Sequence, residues 1–235
     1  MKRIIALLML LILFIAPVTS LAEQKPIQFR GIEWGSSYSD VDSILNKEGI
    51  SLSSNFENFH KNLDSLIYEE SGSFDIAAAF SSSTFILENT SVAGYTVDDV
   101  TAYFAYREID INTNLPNKEN AIFFSAKYNF GEIVDYDAVY DNLLTKLSHI
   151  YGEPNDKREK SIVAAWNFVW YVWYDEFGNG IALRRETFDG HLDEITLWYF
   201  SANADELIQN SYDLVKAHAL EEEAKKYGLD NLEGL

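Results

Sequence analysis

The stretch WNFVWYVWYDEFGNG, residues 166–180, holds three of the chain's five tryptophans. Alternate side chains of an extended strand point to opposite faces. One face is wholly apolar and is predicted to lie in the core: Trp166, Phe168, Trp170, Val172 and Tyr174. The other face is mixed: Asn167, Val169, Tyr171, Trp173 and Asp175. Aromatic rings on the mixed face could stack on a sugar or pack on a partner protein.

The candidate surface for a ligand or partner is this mixed face. The residues assigned to it, two of them from a later strand, are Tyr171, Trp173, Trp198 and Tyr199. The alternative is that these rings fill the core, because aromatic side chains are a major source of buried area. A large exposed apolar patch on so acidic a protein would favour a binding role.

No metal site and no cofactor are predicted. None of the four histidines has the spacing of a zinc-binding helix: they are His60, His149, His191 and His218. Residues 175–180 resemble the start of a calcium loop, with Glu186 at its twelfth position. However, Phe177 stands where an oxygen ligand is needed, and a hairpin turn accounts for these residues.

Catalytic motifs are also missing, and no catalytic residue is predicted. The chain contains no cysteine, and it has no GxSxG, SxxK, P-loop or dinucleotide fingerprint. Carboxylates far apart in sequence can still meet in space and hydrolyse glycosides. A hydrolase with dispersed carboxylates therefore stays open as an alternative to the expected non-enzyme.

Three amphipathic helices are predicted around these side chains. The first is opened by Ser37, with Asp40 three residues later as in a capping box. The second covers residues 135–151, where apolar side chains recur every three or four positions. The third covers residues 204–227, is opened by Asn203, and has acidic residues in its first turn and lysines in its last.

Strands account for most of the remaining sequence. Residues 27–33 are predicted to be a short strand, and residues 100–107 and 121–130 to form a hairpin around a polar turn. Three strands are predicted in the second half, at residues 161–174, 181–188 and 191–200. An Asp-Gly turn, a strong hairpin signal, joins the last two.

Long runs of strands between single helices favour an α+β fold: an antiparallel sheet, or sheets, with amphipathic helices packed on one face. The similar segments FRGI (29–32) and FGEI (130–133) each lead into a helix that several strands follow. This echo suggests a duplicated helix-plus-meander unit. We expect a single domain over residues 23–228, with halves 23–130 and 131–228 if the unit is duplicated. A loosely ordered tail follows over residues 229–235.

Residues 1–22 have the organisation of a secretory signal peptide. Lys2 and Arg3 precede an apolar run over residues 4–16, and small residues end the segment at 20–22. The run is shorter than the ~20 residues that span a bilayer. We expect an exported protein, secreted or extracytoplasmic, with no membrane span after cleavage; an uncleaved anchor is the alternative. Without cysteine the chain cannot be a lipoprotein.

The formal charge limits the classes of partner. Loss of Lys2 and Arg3 on cleavage takes the charge from −19 to −21. Such a field repels nucleic acid, so no nucleic-acid partner is expected.

Three segments resemble a set of uncharacterised exported proteins of Gram-positive anaerobes: FRGIEWGSSYSDVDSIL (29–45), VAGYTVDDVTAYFAY (92–106) and LSHIYGEP (147–154). The resemblance covers most of the mature chain and implies no known activity. More distantly, a Gly-Ser-opened helix before an antiparallel meander is similar to BamE/SmpA-type envelope modules and β-lactamase-inhibitor repeats. Their helix usually ends at Gly-x-Pro, as at 152–154 here. This chain lacks the lipid-anchoring cysteine of many such modules.

The leading hypothesis is a secreted, non-catalytic module that binds a protein or a cell-envelope component such as a glycan. The alternatives are a carbohydrate-binding module that uses exposed aromatics, and the hydrolase. Coplanar rings along a shallow groove would favour a sugar, and a flat, rimmed apolar patch would favour a protein partner. Two carboxylates about 5 to 10 Å apart in a deep cleft would favour hydrolysis.

Overall fold

The computed structural model describes residues 26–50, 52–56, 80–85, 91–131, 133–163 and 166–227. The predicted signal peptide and the predicted C-terminal tail lie outside these residues. No helix within the described ranges is long and apolar enough to cross a bilayer.

The helices of the described residues are α1 (Tyr38–Asn46), α2 (Tyr136–Tyr151) and α3 (Ala204–Lys226). The strands of the first half are β1 (Ser53–Phe56), β2 (Phe80–Phe85), β3 (Ser91–Val92), β4 (Tyr95–Ala105), β5 (Ile109–Asp110), β6 (Leu115–Pro116) and β7 (Ile122–Phe130). Those of the second half are β8 (Asp156–Val163), β9 (Trp166–Tyr174), β10 (Gly180–Phe188) and β11 (His191–Phe200).

The main sheet is antiparallel and curls into half of a barrel. Its strand order is β1-β2-β4-β7-β11-β10-β9-β8, with the short β3 paired to β4, while β5 and β6 form a separate small hairpin. Among the described residues, each half of the chain has a helix before its main strands, and the two sets of strands meet at β7 and β11. The α+β class is confirmed.

Apolar side chains form a separate cluster on each face of the sheet. One cluster joins Leu45 of α1 and Leu143 of α2 to alternate strand residues such as Leu183. The other joins Ile208 of α3 to the intervening residues, such as Ala182. Helices therefore contact both clusters, and strands β9 to β11 carry apolar side chains on both sides.

The capping prediction for the first helix is confirmed, and the second helix is capped as well. The hydroxyl of Ser37 accepts a hydrogen bond from the backbone N–H of Asp40 at 3.1 Å and donates one to its carboxylate at 2.7 Å. At α2, a carboxylate oxygen of Asp135 accepts from the N–H of Ala138 at 3.0 Å. These bonds satisfy N–H groups that the first helical turn leaves without partners.

The strand predicted at residues 27–33 is wrong. The N–H of Ile32 donates to the carbonyl of Phe29 at 2.9 Å, which closes a tight turn. Arg30 and Gly31 have positive φ angles of 51° and 73°. Two successive left-handed residues reverse the chain, so these positions cannot continue an extended strand.

The single strand predicted at residues 161–174 is two strands, β8 and β9. Strand β8 begins earlier, in the charged run DKREK, which alternation of apolar residues does not identify. Lys157 pairs with Glu159, and Arg158 with Asp156, each at 2.7 Å. In the described sheet β8 is a terminal strand, and charges on such a strand protect its open edge from unwanted pairing.

The predicted hairpins are confirmed. Strands β4 and β7 pair antiparallel, and β10 and β11 pair around the Asp-Gly turn. Asp189 and Gly190 both have positive φ angles, 50° and 80°, as a two-residue hairpin turn requires. The start of the third helix is confirmed as well, since the carbonyl of Asn203 accepts from the N–H of Leu207.

Candidate functional site

The four residues predicted to form a binding surface do not share one. Trp173 and Trp198 are 0% and 2% exposed, so the expectation that they lie on the surface is wrong. Tyr171 and Tyr199 are partly buried and pack against the same cluster as Trp173. Trp198 belongs to the cluster on the opposite face.

Trp173 is buried because the mixed face of β9 is covered too. The residue opposite it on β10 is Ile181, and both belong to the cluster that α2 helps to form. The indole Nε1–H donates to the carbonyl oxygen of Gly152 at 2.9 Å, directly after α2. The alternation of β9 was predicted correctly, but the coverage of its second face was not.

Trp198 and Tyr199 are neighbours in sequence that point into different surroundings. The Trp198 ring stacks on Tyr103, with centroids 5.4 Å apart, and the ammonium of Lys127 lies 5.3 Å from its centroid. Tyr199 meets the rings of Phe29 and Tyr128 edge to face or tilted. Both side chains therefore act as packing residues.

Several phenols on the α2 side of the sheet are kept from water. Burial raises the pKa of Tyr128, Tyr140 and Tyr199 above the ordinary value, because a buried phenolate loses its hydration. The hydroxyl of Tyr140 also lies 3.4 Å from the carbonyl of Val169, to which it donates.

Alkaline pH is therefore expected to destabilise the fold. Below about pH 10, the pKa of an unfolded tyrosine, these phenols are neutral in both states and contribute no pH dependence. Above it the unfolded chain releases protons that the folded chain keeps, so the free energy of unfolding falls as the pH rises towards the folded pKa values. The slope is about 1.4 kcal/mol per pH unit for each such tyrosine. Urea unfolding at about pH 8, 10 and 11 measures this decrease in the free energy of unfolding.

Tyr140→Phe is the informative variant for this effect. It removes one raised pKa, so its stability should fall less steeply above about pH 10. Tyr227→Phe, at an exposed ring, is the matched control and should leave the slope unchanged. An equal slope in all three proteins would contradict the assignment.

Two exposed aromatic side chains of the second meander lie side by side at one end of β9 and β10. Trp166 and Phe188 are 38% and 50% exposed, and they are directly opposite each other across the two strands. Their rings are 6.0 Å apart and nearly perpendicular, at 84°. His191 follows in the same row on β11 and is exposed. We call Trp166, Phe188 and His191 the aromatic end.

Trp166 was predicted to lie in the core, and this prediction is wrong, because its side chain is 38% exposed. Trp166 is the first residue of β9 and Phe188 is the last residue of β10. Both therefore lie at the end of the sheet, beyond the elements that pack on its face. The sequence held a signal for this position, because Phe188 directly precedes the Asp-Gly turn. A residue beside a tight hairpin turn must lie at the end of its sheet.

The indole of Trp166 is held in place by a charged row beneath it. Its Nε1–H donates to the carboxylate of Glu186, which is buried and also pairs with the buried guanidinium of Arg184. Arg184 lies over the ring of Phe168 at 5.2 Å and is 3.8 Å from Glu194. Because Glu186 is itself paired with Arg184, it fixes the direction of the indole.

The charged row holds two carboxylates with a guanidinium close to both. Glu186 and Glu194 are opposite each other in the register of β10 and β11, where like charges repel. Arg184 lies close to both and offsets that repulsion. Among the described residues no group of three histidine or acidic side chains could hold a metal ion.

The opposite end of β9 and β10 carries two more exposed rings, Tyr174 and Phe177. Between them, the carboxylate of Asp175 accepts hydrogen bonds from the backbone N–H groups of Phe177 and Asn179, each at 2.9 Å. It also accepts from the N–H of Ile27 at 2.8 Å. The residues that resembled a calcium loop form a hairpin turn, and this carboxylate is occupied by protein donors.

Two open clefts lie elsewhere on the described surface. A polar cleft of about 320 Å³ is lined mainly by Ser37, Asp40, Arg107, Glu108 and Asn120. An apolar cleft of about 370 Å³ lies beside the start of α2, lined mainly by Tyr95, Ile133, Val134, Ala138 and Val139. Both are near the lower limit for small-molecule sites, and neither includes a residue of the aromatic end.

No protein-family model, no curated protein and no solved structure matches the chain. The resemblances drawn from the sequence therefore stay predictions.

Proposed function

We propose that the protein is an exported, non-catalytic module that binds a partner protein through its aromatic end. The observation that carries the proposal is that the rings of Trp166 and Phe188 are exposed side by side. The carboxylate of Glu186 holds the indole of Trp166 in one orientation. Exposing two large rings side by side costs solvation free energy that burial against a partner recovers.

The rigidity of the indole supports a binding role. Tryptophan is among the residues most often found at the centre of protein interfaces. A side chain already held in one orientation loses little conformational entropy on binding. Trp166 has Phe168 on one side, with centroids 6.1 Å apart and an interplanar angle of 24°, and Phe188 on another, so few rotamers remain open to it.

The geometry favours a protein partner over a sugar. Rings that bind the flat face of a sugar need to be coplanar along a groove, and the rings of Trp166 and Phe188 are at 84° to each other. Polar and charged groups border the pair: Glu186 accepts from the indole, Glu194 lies opposite Glu186 on β11, and His191 lies opposite Phe188. An apolar centre with a polar rim is the usual anatomy of a protein interface.

Affinity capture tests the proposal. The mature protein is immobilised and exposed to culture supernatant and to solubilised envelope of the organism that produces it. The double variant Trp166→Ala/Phe188→Ala is expected to lose the specific partner at least about tenfold, as hot-spot truncations of about 1.4 kcal/mol or more do. Purified envelope glycan is assayed in parallel by co-sedimentation.

Tyr174→Ala/Phe177→Ala is the matched control, because it removes two exposed rings from the other end of the same strands. It should capture the partner as the unaltered protein does. The single variant Phe188→Ala controls for a folding defect of the double variant. Its side chain is 50% exposed and makes no hydrogen bond, so its loss should leave the fold intact. Equal capture by all variants, or binding only to glycan, would refute a protein-binding aromatic end.

A further inference from the structure

We infer that the aromatic end receives a cationic group, the guanidinium or ammonium of a basic side chain on the partner protein. This inference rests on the proposed function and gives the chemistry of its central contact. The observations are the orientation of the two exposed rings, the balance of charge around them, and a similar contact that the chain makes within itself.

The rings offer two aromatic faces to one incoming group. Trp166 and Phe188 meet edge to face at 6.0 Å and 84°, so they form two walls of a corner. A cation within about 6 Å of a ring centroid is attracted by the negative face of the ring, most strongly for tryptophan. A flat apolar ligand could lie against only one of the two faces, whereas a compact or slender cation can contact both.

The charges around this corner favour a cation. The carboxylates of Glu186 and Glu194 lie opposite each other in the neighbouring row of β10 and β11, and that of Glu186 accepts from the indole of Trp166. Arg184 already lies close to both glutamates. Glu194 is 40% exposed at its side chain, so it can still accept a hydrogen bond from outside. The formal charge of −19 over the whole chain adds a long-range attraction for basic partners.

The chain itself makes this type of contact one row further into the sheet. The guanidinium of Arg184 lies over the ring of Phe168 at 5.2 Å, with the carboxylates of Glu186 and Glu194 beside it. Phe168 and Glu186 are cross-strand neighbours, as Trp166 and Phe188 are in the next row. The same combination of ring and carboxylate recurs at the surface, where a basic side chain of a partner can supply the cation.

The test is a titration followed by NMR of the tryptophan indole N–H signals in the full mature protein. Trp166→Phe identifies the Trp166 signal by its loss. N-acetylarginine amide is added as the cationic probe and N-acetylcitrulline amide as its neutral isostere. We expect the arginine probe to shift the Trp166 signal with about 2- to 5-fold higher affinity than the citrulline probe, the ratio for an exposed cation–π contact.

Phe188→Leu keeps an apolar side chain but removes one ring face, and it should reduce the preference for arginine. Glu194→Gln should weaken arginine binding and leave citrulline binding unchanged. Tyr174→Leu, at the other end of the strands, is the matched control and should retain the full preference.

Equal affinity for the two probes, or an arginine preference that Phe188→Leu leaves unchanged, would overturn the inference. Choline is the third probe. A Trp166 shift with choline but not with arginine would mean a free quaternary ammonium ligand, which also overturns it. These outcomes are separate from a failure of the proposed function, which appears as partner capture that does not depend on Trp166 and Phe188.

Discussion

Trp173→Ala is expected to lower the free energy of unfolding by about 3–5 kcal/mol, the range for truncation of a large buried aromatic side chain. Trp173 is 0% exposed and belongs to the core cluster that side chains of β10 and α2 help to form. The substitution leaves a cavity that the surrounding sheet cannot close, because its strands are fixed by their hydrogen bonds. Urea unfolding followed by circular dichroism measures the loss.

Trp173→Phe separates packing from hydrogen bonding. Phenylalanine keeps most of the ring volume but cannot donate to the carbonyl of Gly152, which the indole reaches at 2.9 Å. We expect it to cost about 1–3 kcal/mol, from the unpaired carbonyl and the smaller ring. Phe177→Ala, at a ring that is 60% exposed, is the control and should cost well under 1 kcal/mol. A loss below 1 kcal/mol for Trp173→Ala would contradict the burial of this face.

The periodicity of the sequence predicted which side chains of β9 share a face, and it could not predict what covers each face. Alternation is a local property of an extended chain. Coverage depends on where distant elements pack, here the helix that ends at Tyr151 and the one that begins at Ala204. With Trp173 buried on one face and Trp170 on the other, the strand is apolar on both sides, as is common in a strand between two layers.

The same distinction explains the aromatic end. The composition of residues 166–174 does not distinguish Trp166 from the other aromatic residues of the run. Each residue was predicted to be core or surface only from the face of the strand on which it lies. Exposure follows instead from position along the strand, because cover is lost at the end of a sheet. The Asp-Gly turn after Phe188 was the local signal that located this end, and the register then places Trp166 beside Phe188.

Local chemistry predicted helix starts and tight turns most accurately. The bond of Ser37 to Asp40 and the left-handed Asp189-Gly190 turn depend on adjacent residues only. The strand in DKREK escaped prediction because an edge strand is stabilised by pairing with β9 and not by burial of alternate residues. The order of the strands in the sheet was not predicted, since strand order is a property of the whole chain.

Asp175→Ala is expected to cost about 2–4 kcal/mol of unfolding free energy, although the residue lies in a turn. Its carboxylate accepts from the N–H groups of Phe177 and Asn179, from the side-chain amide of Asn179 at 3.0 Å, and from the N–H of Ile27. Hydrogen bonds to a charged group contribute about 1.5–3 kcal/mol each, and a buried donor left without a partner costs about 1–3 kcal/mol.

The bond to Ile27 gives this prediction a second, local readout. Ile27 is buried, its carbonyl accepts from the indole of Trp34 at 2.8 Å, and its partner Asp175 is 148 positions away in sequence. Hydrogen exchange should therefore show that the amide of Ile27 loses protection in Asp175→Ala, beyond the loss expected from global stability alone. Asp175→Asn presents an amide N–H₂ or a single oxygen to these donors, so it should fall between alanine and the unaltered protein.

Glu176→Ala is the matched control, because Glu176 is an exposed acidic residue in the same turn and should change stability by less than about 0.5 kcal/mol. If Asp175→Ala behaves like this control, the carboxylate does not hold the N-terminal segment to the sheet. If the Ile27 amide alone loses protection while global stability is kept, the turn closes without Asp175 and only the long-range bond depends on it. The expected result is both effects together, since one carboxylate accepts from the turn and from Ile27 at the same time.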